Sequence, residues 1–229
     1  MGRYFLTVLG LASVFPVAAL AQETADPWRL EAVVGGFSDY RYRGLSLSED
    51  KPALQAGVTL SQASGLYADV YLSSIAAYGG DEEDEGSRLE ATLSVGWAGS
   101  WLGLDWDAAL SAYRYPGGHE VNYVEAPIQV SRSLGAATAT VGYAYAPSQA
   151  ALGDEDNHYG WAGIDYAPDD WPVSVSLSLG REQGAYAPDG KTDWRIGGFL
   201  PVGKLTAGLE WVDSDRDDGA LVASLFAHF

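Results

Sequence analysis

The chain has 229 residues, a formal net charge of −18 at pH 7, no cysteine and a 47% hydrophobic share. So negative a balance rules against nucleic acid as a partner, because phosphate is repelled, and against charge-driven anchoring on an anionic membrane surface. Without cysteine there are no disulfides and no thiolate metal sites, and the composition lacks the low hydrophobicity of disordered chains.

Met1–Ala21 carries one cation, Arg3, then an apolar stretch from Tyr4 to Leu20 that ends in Ala19-Leu20-Ala21. That is the layout of a cleaved secretory signal peptide. Pro16 and the acidic flank of Glu23 and Asp26 disfavour a transmembrane helix. The expected organisation is a signal peptide at 1–21 and one β-barrel domain at 22–229. Loss of Arg3 would take the charge from −18 to −19.

Beyond the leader, apolar and polar residues alternate with period two, the pattern of half-buried strands. Leu54, Ala56, Val58 and Leu60 alternate with Gln55, Gly57, Thr59 and Ser61. Leu89, Ala91, Leu93, Val95 and Trp97 alternate with Arg88, Glu90, Thr92, Ser94 and Gly96. Leu104, Trp106, Ala108 and Leu110 follow, then Val173, Val175, Leu177 and Leu179, then Leu205, Ala207, Leu209 and Trp211. The segments are 28–40, 53–61, 66–75, 87–97, 102–115, 122–131, 136–146, 158–166, 173–182, 192–200, 205–213 and 220–229. Each is about ten residues, enough for a tilted strand to cross a bilayer. The expected fold is all-β: a transmembrane antiparallel up-and-down barrel of about twelve strands.

The connections alternate in length. Gln62–Gly65, Ala98–Trp101, Arg132–Gly135, Ala167–Pro172 and Pro201–Lys204 are short. Arg41–Pro52, Ala76–Gly86, Pro116–Val121, Pro147–Asn157, Gln183–Lys191 and Ser214–Gly219 are longer. Short periplasmic turns and long surface loops are the barrel arrangement. A soluble barrel or sandwich produces the same alternation, but three features favour the membrane. Lys51, Lys191 and Lys204 all fall in expected loops or turns, whereas soluble barrels place lysines on strand faces and edges. Trp97, Trp101, Tyr143, Tyr145, Trp171, Trp194 and Trp211 crowd the strand ends, as interfacial girdles do. The last strand ends in Phe229, with Leu221, Ala223, Leu225 and Ala227 on its face; this looks like an outer-membrane sorting signal read by the barrel-assembly machinery. The expected location is the cell outer membrane, with its lipid and lipopolysaccharide as partners.

Ser38-Asp39-Tyr40-Arg41-Tyr42-Arg43-Gly44-Leu45-Ser46-Leu47-Ser48, followed by Pro52-Ala53-Leu54-Gln55-Ala56-Gly57, resembles the opening signature of the TorF family of candidate porins. That family is also described as the Gcw_chp proteobacterial proteins of unknown function. Gly65, Tyr67, Tyr71 and Ser73 continue the match, and Tyr115-Pro116-Gly117 with Tyr123 and Glu125 resemble its middle block. The chain departs from the pattern at Val58-Thr59, where the family carries an Asp, and at Ser73-Ser74, where it reads Ser-Asn. The likeness is diffuse after Ser131. It implies an outer-membrane barrel with a pore role and brings neither a substrate nor catalytic residues.

The alternation assigns Arg29, Glu31, Asp69, Arg88, Glu90, Asp105, Asp107, Glu125, Asp165, Asp193, Arg195 and Glu210 to the lumen as candidate pore-lining residues, nine acids against three bases. Carboxylates in a narrow lumen favour cations over anions. The same residues also suit pairing that fills the lumen, with Arg29–Glu31, Arg88–Glu90 and Asp193–Arg195 at i, i+2 spacing. A barrel of this size leaves room for a narrow channel only. Arg41 and Arg43 stand out in an acidic chain; they read as a turn paired with Asp39, Glu49 or Asp50, or as a patch meeting anionic solutes or lipopolysaccharide phosphates. The acidic runs 81–85, 154–156 and 213–218 read as solvated loops, with a divalent-ion role as the alternative.

No cofactor is implied, and an enzyme is not expected. There is no G-x-S-x-G and no H-E-x-x-H. Of the three histidines, His119 sits in a turn, His228 adjoins the end of the chain, and His158 beside Asp156 is the one arrangement that could serve acyl hydrolysis. The function expected is a narrow porin passing cations or small polar solutes. The alternative is a plugged structural or surface-interaction barrel, with an outer-membrane hydrolase behind it.

Overall fold

The computed structural model describes residues 27–82 and 84–229. The expected signal peptide, residues 1–21, lies outside the described residues. The strands are β1 (Trp28–Phe37), β2 (Arg41–Tyr42), β3 (Leu45–Ser46), β4 (Ala53–Gln62), β5 (Leu66–Tyr78), β6 (Ser87–Trp101) and β7 (Leu104–Arg114). They continue with β8 (Tyr123–Leu134), β9 (Ala137–Ala146), β10 (Asn157–Tyr166), β11 (Ser174–Gly184), β12 (Ala187–Val202), β13 (Leu205–Ser214) and β14 (Ala220–His228). Twelve of these form one closed barrel in chain order, from β1 and β4 round to β14, every neighbour antiparallel. The other two, β2 and β3, make a separate small hairpin.

β1 pairs with β4 along its whole length, from Trp28↔Gln62 to Phe37↔Ala53. Against β14 it pairs only from Val33↔His228 to Phe37↔Ser224. That offset is the stagger that tilted strands need in order to close. Two backbone bonds latch the seam, Ala32 N–H to the Phe229 carbonyl at 3.1 Å and Phe229 N–H to the Ala32 carbonyl at 2.9 Å.

The barrel is apolar outside and polar inside. On β4, Leu54, Ala56, Val58 and Leu60 are exposed, while Ala53, Gln55, Gly57 and Thr59 are buried. Around the barrel, Leu30, Val70, Leu93, Val95, Leu110, Val141, Ile164, Leu177, Leu179, Ile196, Leu209 and Leu221 are exposed. Asp69, Glu90, Asp107, Glu125, Asp165, Glu182, Asp193 and Glu210 are buried. In water this arrangement is inverted; in a bilayer each Leu or Val contributes about 1.5–3 kcal/mol of apolar burial. Exposed aromatics gather at both ends of the strands: Trp28, Trp97, Trp101, Tyr166 and Trp171 at the short-turn end, Tyr143, Tyr145, Trp194 and Trp211 toward the other.

Several boundaries differ from the sequence reading. β6 runs on to Trp101, so the turn to β7 is Leu102–Gly103, not 98–101. Both turn residues have positive φ, 55° and 74°, which defines the tight hairpin turn whose twist matches the strands. β8 and β12 likewise extend to Leu134 and Val202. The largest correction concerns Gln183–Lys191. β11 continues to Gly184 and β12 starts at Ala187, so the expected long loop is a tight turn at Ala185–Tyr186 with a bulge between Glu182 and Gly184. Lys191 is therefore a strand residue rather than a loop residue.

Candidate functional site

The hairpin β2–β3 turns into the mouth at the long-loop end and crosses the lumen. Its shape is set locally. The Asp39 carboxylate accepts from Arg41 Nε at 2.5 Å, Ser46 Oγ at 2.7 Å and Ser48 Oγ at 3.0 Å. Ser48 Oγ in turn accepts from the Tyr40 N–H at 2.9 Å. The turn residues Arg43 and Gly44 both have positive φ, 49° and 81°. Gly44 is required twice over, by its conformation and because a Cβ there would strike the Ser214 and Asp193 side chains on the barrel wall.

Arg43 is the centre of the site. Its Nη2 donates to both oxygens of Glu125 on β8, at 2.7 and 2.8 Å. Its Nη1 donates to Glu182 on β11 at 2.8 Å. Glu182 also holds Lys191 Nζ of β12 at 2.6 Å and accepts from Asn157 Nδ2 of β10 at 3.0 Å. The guanidinium lies 4.7 Å from the Tyr42 ring centre and 4.2 Å from that of Tyr159. Glu125 and Lys191 are 1% and 2% exposed. Glu125, Arg43, Glu182 and Lys191 thus form a neutral buried chain of four charges that ties the hairpin to β8, β11 and β12 on one stretch of the barrel wall. Burial works against the Arg43 charge, but the facing carboxylates of Glu125 and Glu182 raise its pKa well above the ordinary value.

The rest of the hairpin is fastened on either side. Arg41 pairs with Asp39 and with Asp50 at 2.9 Å, and donates to the Asp218 carbonyl at 2.7 Å in the β13–β14 loop. Asp39 and Asp50 are partners the sequence reading named for it; Glu49 instead holds Lys51 at 2.8 Å. Tyr40 Oη donates to Glu90 at 3.0 Å, beside Tyr115 Oη at 2.9 Å. Burial, then the nearby Glu90 charge, push the Tyr40 phenol well above its ordinary value. Tyr113 and Tyr123 stack at 4.4 Å behind it.

The twelve sequence candidates fall into three groups. Asp69, Glu90, Asp107, Glu125, Asp165, Asp193 and Glu210 are buried on the inner face, with Arg195 beside Glu210 at 3.9 Å. Arg29, Glu31 and Asp105 lie at the short-turn mouth, where Arg29 pairs with Glu31 at 2.9 Å and Asp105 accepts from Ser100. Arg88 is at the opposite rim, its side chain 65% exposed and paired with Glu85, not Glu90. A bulge in the β5–β6 pairing between Ser74 and Tyr78 breaks the alternation there. Asp193 does not pair with Arg195; it accepts from Tyr159 Oη at 3.0 Å. Tyr67, Tyr159, Trp161, Glu182 and Lys191 were missed. All but Glu182 share strand parity with a named acid (Tyr67 with Asp69, Tyr159 and Trp161 with Asp165, Lys191 with Asp193), and that was the available signal; β11 carried no named acid.

Below the hairpin lies a cavity of ≈ 40 Å³ lined by Arg43, Gln129, Tyr159, Trp161, Ser178, Asp193 and Arg195 among others. By volume it holds about three waters. Because the four-charge chain is neutral, the remaining luminal field is set by Asp69, Glu90, Asp107, Asp165, Asp193 and Glu210 against Arg195.

A family model covers residues 21–226. The chain belongs to the family described as bacterial protein of unknown function (Gcw_chp). No curated protein matches it. Among solved structures, this Gcw_chp protein is similar to the KdgM porin in complex with disordered oligogalacturonate, with 7% identity and a TM-score of 0.60 over 87% of this chain and 98% of that one. It is also similar to the NanC porin, with 11% identity and a TM-score of 0.54 over the same shares. At these identities the likeness is one of fold: a small, closed, antiparallel porin-type barrel.

His158 faces outward at the rim, 3.4 Å from Asp156 and 2.5 Å from Tyr143 Oη. In the acidic run, Asp84 N–H donates to Asp81 and Glu85 pairs with Arg88 of β6. Among the described residues no group of three or more His, Cys, Asp or Glu side chains could hold a metal ion.

Proposed function

We propose that this protein is an outer-membrane porin with a narrow, cation-preferring lumen, constricted by the β2–β3 hairpin. One observation carries the reading: an apolar outer belt encloses an inner face on which acids outnumber the bases left uncompensated by the Arg43 cluster. Such a lumen concentrates cations and repels anions, because weakly screened charges act strongly in a narrow channel. Small neutral polar solutes meet no opposing charge. The KdgM neighbour was solved with an oligogalacturonate; the acidic lumen here disfavours so anionic a solute. The lipid partners are those of the outer membrane and its lipopolysaccharide, and the assembly partner is the barrel-assembly machinery acting on β14 and its exposed Phe229.

One observation favours a second reading, a plugged barrel. The hairpin is held by buried ion pairs to β8 and β11. Flux decides between them. The folded mature protein, residues 22–229, is reconstituted in liposomes loaded with a potassium-sensitive dye and with a chloride-sensitive dye in parallel. The porin reading expects potassium entry well above chloride entry, reduced by Asp107→Asn and Glu210→Gln. No flux from a folded barrel would establish the plugged reading instead.

A further inference from the structure

We infer that the cavity beneath the hairpin is a binding subsite for a neutral polyhydroxylated solute, a sugar or polyol presenting one hydroxyl-bearing edge. The inference rests on the porin reading and names its solute class. Four side chains lining this one cavity hold buried polar atoms without a hydrogen-bond partner: Gln129 Oε1, Trp161 Nε1, Asp193 Oδ2 and Arg195 Nη2. Buried polar groups are almost always satisfied, and leaving them unmade is costly. Here the set is balanced. Trp161 and Arg195 can only donate, while Gln129 Oε1 and the Asp193 carboxylate can only accept.

That balance selects the ligand. A cation would find two acceptors but be opposed by the Arg195 guanidinium. An anion would find two donors but be opposed by Asp193. A hydroxyl both donates and accepts, so a row of hydroxyls answers both kinds of group. The aromatic wall points the same way. A Cβ at Gly142 would collide with the Trp161 indole, so the ring lies flat on the bare β9 backbone. Tyr159 stacks beside it at 5.6 Å and 21°. With Tyr159 already covered by Arg43 at 4.2 Å, the Trp161 ring next to mixed donors and acceptors matches a solute with an apolar face and a hydroxyl rim. At ≈ 40 Å³ the cavity takes the edge of one ring in place of about three waters.

The test is equilibrium binding, which needs no open pore. Saturation-transfer NMR is run on the folded mature protein in micelles with methyl glucoside as the neutral probe and sodium galacturonate as its charged counterpart. Conductance of the same preparation is measured separately. The expected result is saturable transfer from methyl glucoside and none from galacturonate. Trp161→Leu should raise the half-saturating concentration about tenfold, the equivalent of a lost aromatic contact and hydrogen bond. Gln129→Leu, on a different strand, guards against a folding defect in the first variant and should weaken binding about fivefold. Equal binding by wild type and both variants, preference for galacturonate, or no saturable transfer overturns the subsite. A barrel that conducts but does not bind removes the subsite and leaves the porin. One that binds but does not conduct leaves the subsite and removes the porin.

Discussion

Replacing Arg43 by glutamine takes away the cation that Glu125 and Glu182 share. In the folded barrel the three side chains are 6%, 2% and 3% exposed, and Arg43 makes three bonds of 2.7–2.8 Å to the two carboxylates. Removing one partner of a buried ion pair costs about 3–5 kcal/mol, because the other charge is left uncompensated. Lys191 remains on Glu182 at 2.6 Å, so the orphan is Glu125 and the lower end of that range applies. Glu125→Gln in the Arg43→Gln background removes the orphaned charge and should restore part of the loss. The expected coupling energy in this double-mutant cycle is about 2 kcal/mol or more, read from urea unfolding of the lipid-reconstituted protein. A value below about 0.5 kcal/mol, typical of exposed pairs, would refute the hairpin's role as a buried tie to the barrel wall.

Replacing Arg41–Ser46 by a two-glycine link should raise single-channel conductance several-fold, because the hairpin occupies the lumen against β8 and β11; unchanged conductance counts against that position for the constriction. Val95→Lys, at mid-height on the lipid face, should destabilise the barrel by about 2–4 kcal/mol, measured by unfolding in lipid. Leu102→Asn should stabilise it by about 1 kcal/mol, since Leu102 has a φ of 55° that branched side chains without a local acceptor tolerate poorly. Phe229→Ala should lower the heat-modifiable folded fraction recovered from outer membranes, which a quantitative gel comparison checks.

Period-two alternation found all twelve barrel strands and misplaced their ends by four residues or fewer except at the start of β12, which lies five residues earlier at Ala187, because a strand with lipid on one side and lumen on the other has no freedom to mix its faces. The hairpin was not legible as structure. Two-residue strands are too short to show a period, and Arg41 and Arg43 read as a paired loop. The pairing of Arg41 with Asp39 and Asp50 was local and therefore visible. The pairing of Arg43 with Glu125 and Glu182 spans 82 and 139 residues and was not. Lys191 was misplaced because Pro188-Asp189-Gly190 carries turn residues; in the barrel this stretch is the projecting start of β12, and Gly190 accommodates it with a φ of 77°. Inward tyrosines were missed because the inner face was read for charged residues alone; the two tyrosines assigned to the girdles, Tyr143 and Tyr145, are exposed. The tyrosines that share parity with luminal acids hold carboxylates instead, as Tyr67 does Asp107 at 2.8 Å.

The most direct test of the central claim is the reversal potential of single channels of the mature protein in a planar bilayer under a potassium chloride gradient. A porin with this lumen gives discrete openings of small conductance and a cation-selective reversal potential that moves toward zero in Asp107→Asn/Glu210→Gln. Silence from a demonstrably folded barrel, or anion selectivity, would contradict it.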